Sequence, residues 1–581
     1  MNTSPGKYRK FLTAYLMPQW QLALLLGTLL FTTIGLELFS PRILARFIDD
    51  AREGVAIEIL KNSAFLYIGI ALVRQVVSVA ARYLSERVGW AATNALREDL
   101  TLHCLRLDMS FHNQNTPGQL IERIDGDVAN LANFFSDFVF RIVGSLILLF
   151  GVLGLLYWED WHIGAALTVY AIIGMACLFK MRSIAVPQWK AARQASSDLF
   201  GFLEEQLSGT EDLRSSGATG YALQQFYKHA GNRLKQERIA GLKSIWLRNT
   251  NAFVNVLGYI ISLISCFYLF NDGAITIGKI YLVIAYTGML SGPLRRLTRQ
   301  MEDLQKASAS LSRIEELQLL ATRVHDGPGY PLPSGPIAIE FRELTFGYKE
   351  DEPVLHDLSF RLESGRILGL LGRTGSGKTT VARLLFRLYD PQSGAIHIGG
   401  TDIRQAKIAA LRDQVGMVTQ SVQLFRATIR DNLTFFNPEV ADDHILHVIE
   451  DIGLLPWYEQ QPQGLDTQLQ SGGQGLSAGQ AQLLTFVRVF LKAPGLVVLD
   501  EATSRLDPAT EGMIERAIDK LLARCTAIII AHRLATVRRA DDILILDEGR
   551  VHEHGPRRDL EKDPNSRFSE LLRTGLTEVL S

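Results

Sequence analysis

The chain has 581 residues, of which 47% are hydrophobic and 21% are charged, and its formal net charge is −1. This near-neutral charge gives no reason to expect a nucleic acid as partner. The four cysteines are scattered without metal-ligand spacing, so they imply neither a zinc site nor a disulfide framework: Cys104, Cys177, Cys266 and Cys525.

Six long hydrophobic runs with few charges fill the first half of the chain. Each has the length of about 20 residues that a helix needs to cross a hydrocarbon core of about 30 Å. The second run carries Arg74 and Gln75 near its end, and alone it would also fit a buried helix of a soluble protein. Six such runs in one half predict membrane helices at Leu22–Phe39, Ser63–Val79, Phe138–Trp158, His162–Phe179, Ala252–Phe270 and Ile277–Pro293.

The distribution of Lys and Arg predicts the orientation of these helices. Lys7, Arg9 and Lys10 precede the first run, which places the N-terminus in the cytoplasm. The short connections Glu159–Trp161 and Asn271–Gly273 contain neither Lys nor Arg, as expected outside the cytoplasm. No convincing cleavage site follows the first run, so it is predicted to be retained. We expect a multi-pass protein of the cell (inner) membrane whose C-terminal half is cytoplasmic.

A charged stretch, Arg313–Arg323, follows the sixth run and is predicted to be a linking helix. Gly327-Pro328-Gly329, with Pro331 and Pro333, then breaks regular structure. The predicted domains are a transmembrane domain at residues 1–313, a linker at 314–336 and a second domain at 337–581.

The second domain contains a phosphate-loop motif of the form G-x-x-x-x-G-K-[ST] at residues 372–379. The apolar run Ile367–Leu371 before it predicts a strand, and Thr379–Arg387 predicts a helix. Backbone N–H groups of such a loop face phosphate oxygens, and its lysine adds a positive charge. The predicted ATP-binding residues are Gly372, Arg373, Thr374, Gly375, Ser376, Gly377, Lys378, Thr379 and Thr380.

Hydrolysis also needs a carboxylate for Mg²⁺ and a group that positions water. The apolar strand Leu496–Leu499 delivers Asp500 and Glu501 together at its end. Asp500, with the Thr379 hydroxyl, suits the metal, and Glu501 suits the water. An Asp-Glu pair is common in solvated turns, but its place downstream of a phosphate loop favours catalysis.

Between these elements lies Leu476-Ser477-Ala478-Gly479-Gln480, and with it the chain resembles the ATP-binding cassette (ABC) transporters over nearly its whole length. In that family this signature opens a helix and closes over the γ-phosphate of ATP held by a second nucleotide-binding domain. The resemblance implies that Tyr348 stacks on adenine, Gln420 contacts the metal, Asp507 ends the D-loop and His532 is the switch histidine. Taken singly, Tyr348 would be explained as strand packing and His532 as a strand-end histidine.

The resemblance implies a fold class and an assembly. The fold is a membrane all-α six-helix transmembrane domain followed by a cytosolic α/β P-loop nucleotide-binding domain, as in exporter-type (type IV) half-transporters. Phe111–Leu131 and Leu207–Thr219 resemble the coupling regions of such exporters, although solvated helix-turn-helix loops would have the same composition. The expected partners are a second half-transporter, membrane lipid and a lipophilic, peptide or drug-like substrate, with ATP and Mg²⁺ as cofactors.

The chain departs from the family pattern at three positions, Ala478, Ala481 and Ser471, where the family usually has glycine, arginine and glutamate. A homodimer is favoured, and a regulatory or weakly hydrolysing subunit of a heterodimer is the alternative. A soluble cassette ATPase acting on nucleic acid would share the second half but not the six crossings. Six polar residues of the membrane runs are candidates for cargo contacts: Glu37, Arg74, Arg141, Asn251, Asn255 and Tyr259. Snorkelling to a nearby interface is the favoured explanation for each of them taken singly. Interhelical hydrogen bonding explains the shared helix face of Asn251, Asn255 and Tyr259 as well as substrate binding does.

Overall fold

A computed structural model describes residues 13, 15, 17–137, 142–349, 351–419, 422–500, 508–531 and 537–574. The chain divides into two compact units. The first unit comprises Met1–Leu105 and Pro117–Leu320, and the second comprises Arg106–Thr116 and Ala321–Ser581. A short segment between two membrane helices therefore belongs to the second unit.

The first unit is helical throughout its described part. The long helices are rich in apolar residues for part or most of their length, whereas the short helix Thr210–Ser215 is largely polar. A π-helical turn, Glu122–Asp127, joins the helix Pro117–Ile121 to the helix Val128–Asp137. The helices are α1 (Trp20–Arg52), α2 (Ile57–Arg106), α3 (Met109–Gln114, which lies in the second unit), α4 (Pro117–Ile121), α5 (Val128–Asp137), α6 (Gly144–Glu159), α7 (Trp161–Ser208), α8 (Thr210–Ser215), α9 (Thr219–Asn271) and α10 (Ile277–Leu319).

Five described helical segments are long and apolar enough to cross a membrane: Met17–Arg52, Ile57–Arg106, Trp161–Ser208, Thr219–Asn271 and Ile277–Leu297. The third predicted run is represented by the shorter apolar helix Gly144–Glu159, because residues 138–141 lie outside the described part of the chain. The prediction of a helical membrane domain is confirmed. The linking helix ends at Leu319 rather than at Arg323, since Leu320 already has extended backbone angles.

The membrane helices pack around a core in which Leu156, Leu167 and Tyr286 are fully buried. Gly258 lets α9 approach α7 closely, because a Cβ atom at this position would lie 2.6 Å from Cζ of Tyr170. Small residues allow the same close approach in other membrane bundles. Large apolar side chains face outward from the unit, as a lipid-exposed surface requires; examples are Leu24, Phe31, Phe65, Val76 and Ile172.

Of the polar positions predicted in the membrane runs, Tyr259 has a close neighbour on another helix. Asn251, Asn255 and Tyr259 lie on α9, and the Tyr259 hydroxyl approaches α10 at Gly288, where an added Cβ would lie 2.8 Å from it. Glu37 and Arg74 are half-buried, and Arg141 lies outside the described residues. A clearer polar cluster is found at the π-helical turn. The buried Asp127 carboxylate accepts a 2.8 Å hydrogen bond from Arg313 Nε and a 2.9 Å bond from Ser310 Oγ, both on α10.

The second unit contains two sheets. The four-stranded sheet has the order β2-β1-β4-β5 with antiparallel pairs, formed by β1 (Ile339–Phe346), β2 (Leu355–Leu362), β4 (Ser393–Ile398) and β5 (Thr401–Asp402). The six-stranded sheet has the order β10-β9-β3-β8-β7-β6, formed by β3 (Ile367–Gly372), β6 (Val415–Val418), β7 (Leu496–Asp500), β8 (Thr526–Ile530), β9 (Asp542–Asp547) and β10 (Arg550–Pro556).

Helices cover the six-stranded sheet, in which only β10 pairs antiparallel. Strands β7 and β8 are apolar nearly throughout and buried on both faces, as central strands of a parallel sheet must be. The described helices of the unit, besides α3, are α11 (Lys378–Leu385), α12 (Ile408–Gln414), α13 (Ile429–Thr434), α14 (Asp442–Ile452), α15 (Leu455–Tyr458), α16 (Ala478–Lys492), α17 (Pro508–Leu522), α18 (Arg557–Lys562) and α19 (Arg567–Thr574).

Candidate nucleotide-binding site

The carboxyl ends of the parallel strands meet at one edge of the six-stranded sheet. Strand β3 ends at Gly372, β6 at Val418 and β7 at Asp500, while Asp500 is in register with Ile530 of β8. Ligands of open α/β sheets bind at this edge. The phosphate loop therefore begins at the same edge at which the predicted metal-binding carboxylate ends its strand.

Four predicted site residues follow these strands but lie outside the described residues: Gln420, Glu501, Asp507 and His532. Gln420 comes two positions after β6, and Glu501 comes directly after β7. His532 comes two positions after β8. Their roles stay predictions from the sequence.

The phosphate loop has the backbone angles for which its glycines are needed. Gly375 and Gly377 have φ of 87° and 101°, in the left-handed region that favours glycine. At Gly377 a Cβ atom would also lie 2.5 Å from Leu355 Cδ2. Helix α11 begins directly after this residue, at Lys378, so its N-terminal N–H groups lie at the loop.

The loop side chains fit a bound triphosphate. Lys378 is buried and its Nζ donates hydrogen bonds to the backbone oxygens of Gly372 at 2.6 Å and Arg373 at 2.9 Å, which holds the ammonium group within the loop. The Ser376 hydroxyl is buried and has no hydrogen-bond partner among the described residues. A buried unsatisfied hydroxyl costs about 1–3 kcal/mol, and a phosphate oxygen would satisfy it.

The residues predicted to hold Mg²⁺ also have suitable chemistry. Thr379 is exposed, whereas the neighbouring Thr380 is buried, so the hydroxyl named by the motif is the accessible one. Asp500 is half-buried at the end of β7. Mg²⁺ prefers oxygen ligands and binds through one or two protein groups together with substrate phosphates. Within the described residues no group of three or more His, Cys, Asp or Glu side chains is placed to hold a metal by itself.

Tyr348, the predicted adenine-stacking residue, is half-buried and firmly held. Its hydroxyl lies 3.1 Å from Thr380 Oγ1 and accepts a 2.9 Å hydrogen bond from Arg383 Nη1. The Arg383 guanidinium carbon also lies 5.7 Å from the centre of the Tyr348 ring, within cation–π range. The sequence analysis missed Arg383, although its position three residues after Thr380 on one helix is a signal that the two share a face.

The signature segment forms the start of α16. Ser477 caps the helix: its Oγ accepts from Gln480 N at 3.1 Å, and Gln480 Oε1 accepts from Ser477 N at 3.0 Å. This reciprocal capping box explains why Ser and Gln stand three residues apart. Ala478 is the first helical residue, is exposed and has no positive φ, so its methyl group meets no backbone restriction.

Gly479 differs from its neighbour Ala478. It is buried, and a Cβ atom there would collide with the Cγ2 methyl of Thr510 on α17 and lie 3.0 Å from Thr510 Cβ. Packing of α16 on α17 therefore requires glycine at this position. Of the other two departures, Ser471 is exposed in a 3₁₀ turn, and Ala481 packs at the border of the apolar core.

A membrane domain of apolar helices joined to a phosphate-loop domain defines a membrane transporter that uses ATP. Residues 23–294 match the family profile described as ABC transporter transmembrane region, and residues 355–504 match the profile described as ABC transporter. The chain belongs to the ABC transporters, as a half-transporter of the exporter type with fused membrane and nucleotide-binding domains.

The chain aligns with curated and solved relatives over most of its length. The chain is 30% identical over 555 residues to an uncharacterized ABC transporter ATP-binding protein, YknV, of Bacillus subtilis, covering 94% of this chain and 89% of that one. It is 30% identical over 523 residues to an ATP-dependent lipid A-core flippase of Idiomarina loihiensis, covering 88% of each. A solved bacterial Atm1-family ABC exporter with ATP bound superimposes with a TM-score of 0.77 at 24% identity, covering 97% and 98% of the two chains, and supports the fold.

Proposed function

We propose that this chain is one half of an ATP-driven exporter and that two copies form a homodimer. In this proposal ATP binding and hydrolysis drive a lipophilic, peptide or drug-like substrate out of the cytoplasm. The observation that carries it is that one unit contains both a phosphate loop and a capped signature helix. In the phosphate loop Lys378 is buried and the Ser376 hydroxyl has no hydrogen-bond partner among the described residues. Each copy thus has both halves of a nucleotide site.

In the proposed chemistry each predicted site residue has a role. Ser376, Lys378 and the N–H groups at the start of α11 would hold the phosphates, while Thr379 and Asp500 would hold Mg²⁺. The bound Mg²⁺ supplies positive charge that neutralises the phosphate oxygens. Glu501 would then orient the attacking water and accept its proton, with Gln420 and His532 completing the set.

Dimerisation is proposed because two residues of the signature face solvent in a single chain. Ser477 and Ala478 are exposed at the positive end of α16, where anions bind well. The negative φ of Ala478 means that the departure from the family glycine leaves this end formed. If both copies contact ATP only in the closed dimer, the closed dimer binds ATP more tightly than the open one. This difference in affinity is what shifts the equilibrium toward the closed dimer.

The lipophilic substrate class rests on the named relatives. One is a lipid A-core flippase, and another, 31% identical over 464 residues and covering 79% of this chain and 73% of its own length, is a fatty acid ABC transporter protein of Mycobacterium bovis. The charge distribution of the loops supports a cytoplasmic N-terminus and nucleotide-binding unit in an inner membrane.

The test is Mg²⁺-dependent ATP hydrolysis by the chain purified alone in lipid nanodiscs, with Glu501→Gln as the matched control. We expect turnover by the wild type that EDTA abolishes and that the variant lacks while still binding ATP. ATP binding without turnover in the wild type would contradict the homodimer and favour the unequal heterodimer. Absence of ATP binding would contradict the proposed function altogether.

A further inference from the structure

The segment Arg106–Thr116 lies between two membrane helices in chain order but belongs to the second unit. Its helix α3 is capped by Asp108, whose Oδ1 accepts from the backbone N of Ser110 at 3.1 Å and of Phe111 at 3.4 Å. Asp108 Oδ2 accepts a 2.6 Å bond from Arg323 N. At the other end of α3, Asn113 Nδ2 donates a 2.7 Å hydrogen bond to the hydroxyl of Tyr389. The segment is thus held at two points.

Tyr389 connects this segment to the adenine-stacking residue. Its side chain is buried, and its ring meets the ring of Tyr348 edge-on, with centroids 5.3 Å apart and an interplanar angle of 84°. Phe346 contacts both rings, at 5.2 Å from Tyr348 and 5.5 Å from Tyr389. Burial raises the pKa of Tyr389, and its hydroxyl oxygen accepts the hydrogen bond from Asn113.

Tyr348 is also fixed at its hydroxyl. Its hydroxyl bonds with Thr380 and Arg383, both on the helix that starts at the loop. A ring held by aromatic edges on one side and by hydrogen bonds at its hydroxyl has little freedom to adjust independently. A base stacking on Tyr348 therefore acts on Tyr389 directly, because packed side chains transmit displacement.

We propose that Tyr389 is a positioning residue that couples adenine stacking on Tyr348 to docking of Arg106–Thr116 on the second unit. The inference rests on the proposed function, since it takes Tyr348 as the adenine-stacking residue. Coupling between two binding events is reciprocal. Bound ATP must therefore increase the docking equilibrium constant of the segment by the same factor by which docking of the segment increases the affinity for ATP.

The experiment measures hydrogen–deuterium exchange of peptides covering residues 106–116 in the full chain in lipid nanodiscs, in a Glu501→Gln background that prevents turnover. The probes are MgATP and magnesium tripolyphosphate, which fills the phosphate loop but has no base. The variants are Tyr389→Phe, which keeps the ring and removes the hydroxyl, and Asn113→Ala. Gln114→Ala is the matched control, because Gln114 is the exposed next residue on α3.

We expect MgATP, but not tripolyphosphate, to slow exchange of this segment in the parent and in Gln114→Ala. Tyr389→Phe and Asn113→Ala should lose that effect and weaken ATP binding by about 2- to 10-fold, the worth of one neutral hydrogen bond. The double variant should be no weaker than either single variant, because both remove the same bond.

Two results would overturn the coupling while leaving the proposed function intact. One is an undiminished MgATP effect in Tyr389→Phe, and the other is equal protection by tripolyphosphate. An unchanged thermal midpoint in Tyr389→Phe with loss of the ATP effect would support coupling over a general loss of stability. Failure of the parent to bind ATP would overturn the proposed function, and this inference with it.

Discussion

Two adjacent signature residues should prefer different side chains: the protein should be more stable with alanine at position 478 and with glycine at position 479. Both Ala478→Gly and Gly479→Ala should therefore destabilise it. Ala478→Gly removes an exposed methyl from the first helical residue, and the expected cost is about 0.5–1 kcal/mol from backbone entropy. Gly479→Ala instead inserts a methyl group into the contact between α16 and Thr510 of α17. Overpacking of this kind costs about 1–3 kcal/mol.

The net magnitude for Gly479→Ala includes a gain from helix propensity. Alanine is better than glycine inside a helix by up to about 1 kcal/mol, so we expect a net loss of about 1–2 kcal/mol. For a unit of this size that corresponds to a lower unfolding midpoint by about 2–8 °C. Differential scanning fluorimetry of the full chain in nanodiscs measures this shift.

A rescue variant makes the prediction specific. Thr510→Ser deletes the Cγ2 methyl that the new Cβ would strike, so it should recover most of the loss in the Gly479→Ala background. Alone, Thr510→Ser should cost about 0.8 kcal/mol, the value of one buried methyl group. Additive effects of the two substitutions, with no recovery, would refute the packing argument.

Three further predictions concern other contacts. Ser376→Ala should leave the stability of the ATP-free protein unchanged or slightly higher, because the buried Ser376 hydroxyl has no partner among the described residues. The same variant should bind ATP more weakly by about 1 kcal/mol, as measured by titration. Arg313→Met should reduce the stability by about 3 kcal/mol, because it leaves the buried Asp127 carboxylate uncompensated. Adding Asp127→Asn to this variant should recover part of the loss. Equal unfolding midpoints for the single and the double variant would contradict this. Burial alone would raise the pKa of Asp108, but hydrogen bonds from Ser110, Arg323 N and Phe111 N outweigh it and hold the pKa below its usual value. This carboxylate thus stabilises docking of α3 at pH values above its unfolded pKa, and it loses that effect only as the pH falls through its lowered pKa. The rate of limited proteolysis within residues 106–116 should therefore be constant between about pH 5 and 8. A rise of that rate within this range would contradict the assignment.

Local patterns in the sequence were sufficient for the fold class and for the centre of the ATP site. Long apolar runs are visible without a structure because the hydrocarbon core imposes one length on every crossing helix. The phosphate loop is equally local, since Gly375, Gly377 and Lys378 act within one turn between β3 and α11. The strand-loop-helix order was predicted within two residues at its ends, and each apolar run that lies in the described part of the chain falls within a helix. Several of these helices extend far beyond the predicted run, for example to Arg106 instead of Val79 and to Ser208 instead of Phe179.

Tertiary structure decided the features that depend on residues far apart in the chain. The family pattern alone did not reveal whether Ala478 or Gly479 tolerates a methyl group, because the answer depends on Thr510, which packs there from another helix. Arg383 and Tyr389 carry no motif, yet their contacts with Tyr348 form part of the predicted adenine site. The assignment of Arg106–Thr116 to the second unit also depends on a distant contact, from Asn113 to Tyr389. Sequence periodicity records which face of an element is apolar, whereas only the folded chain shows which other element covers that face.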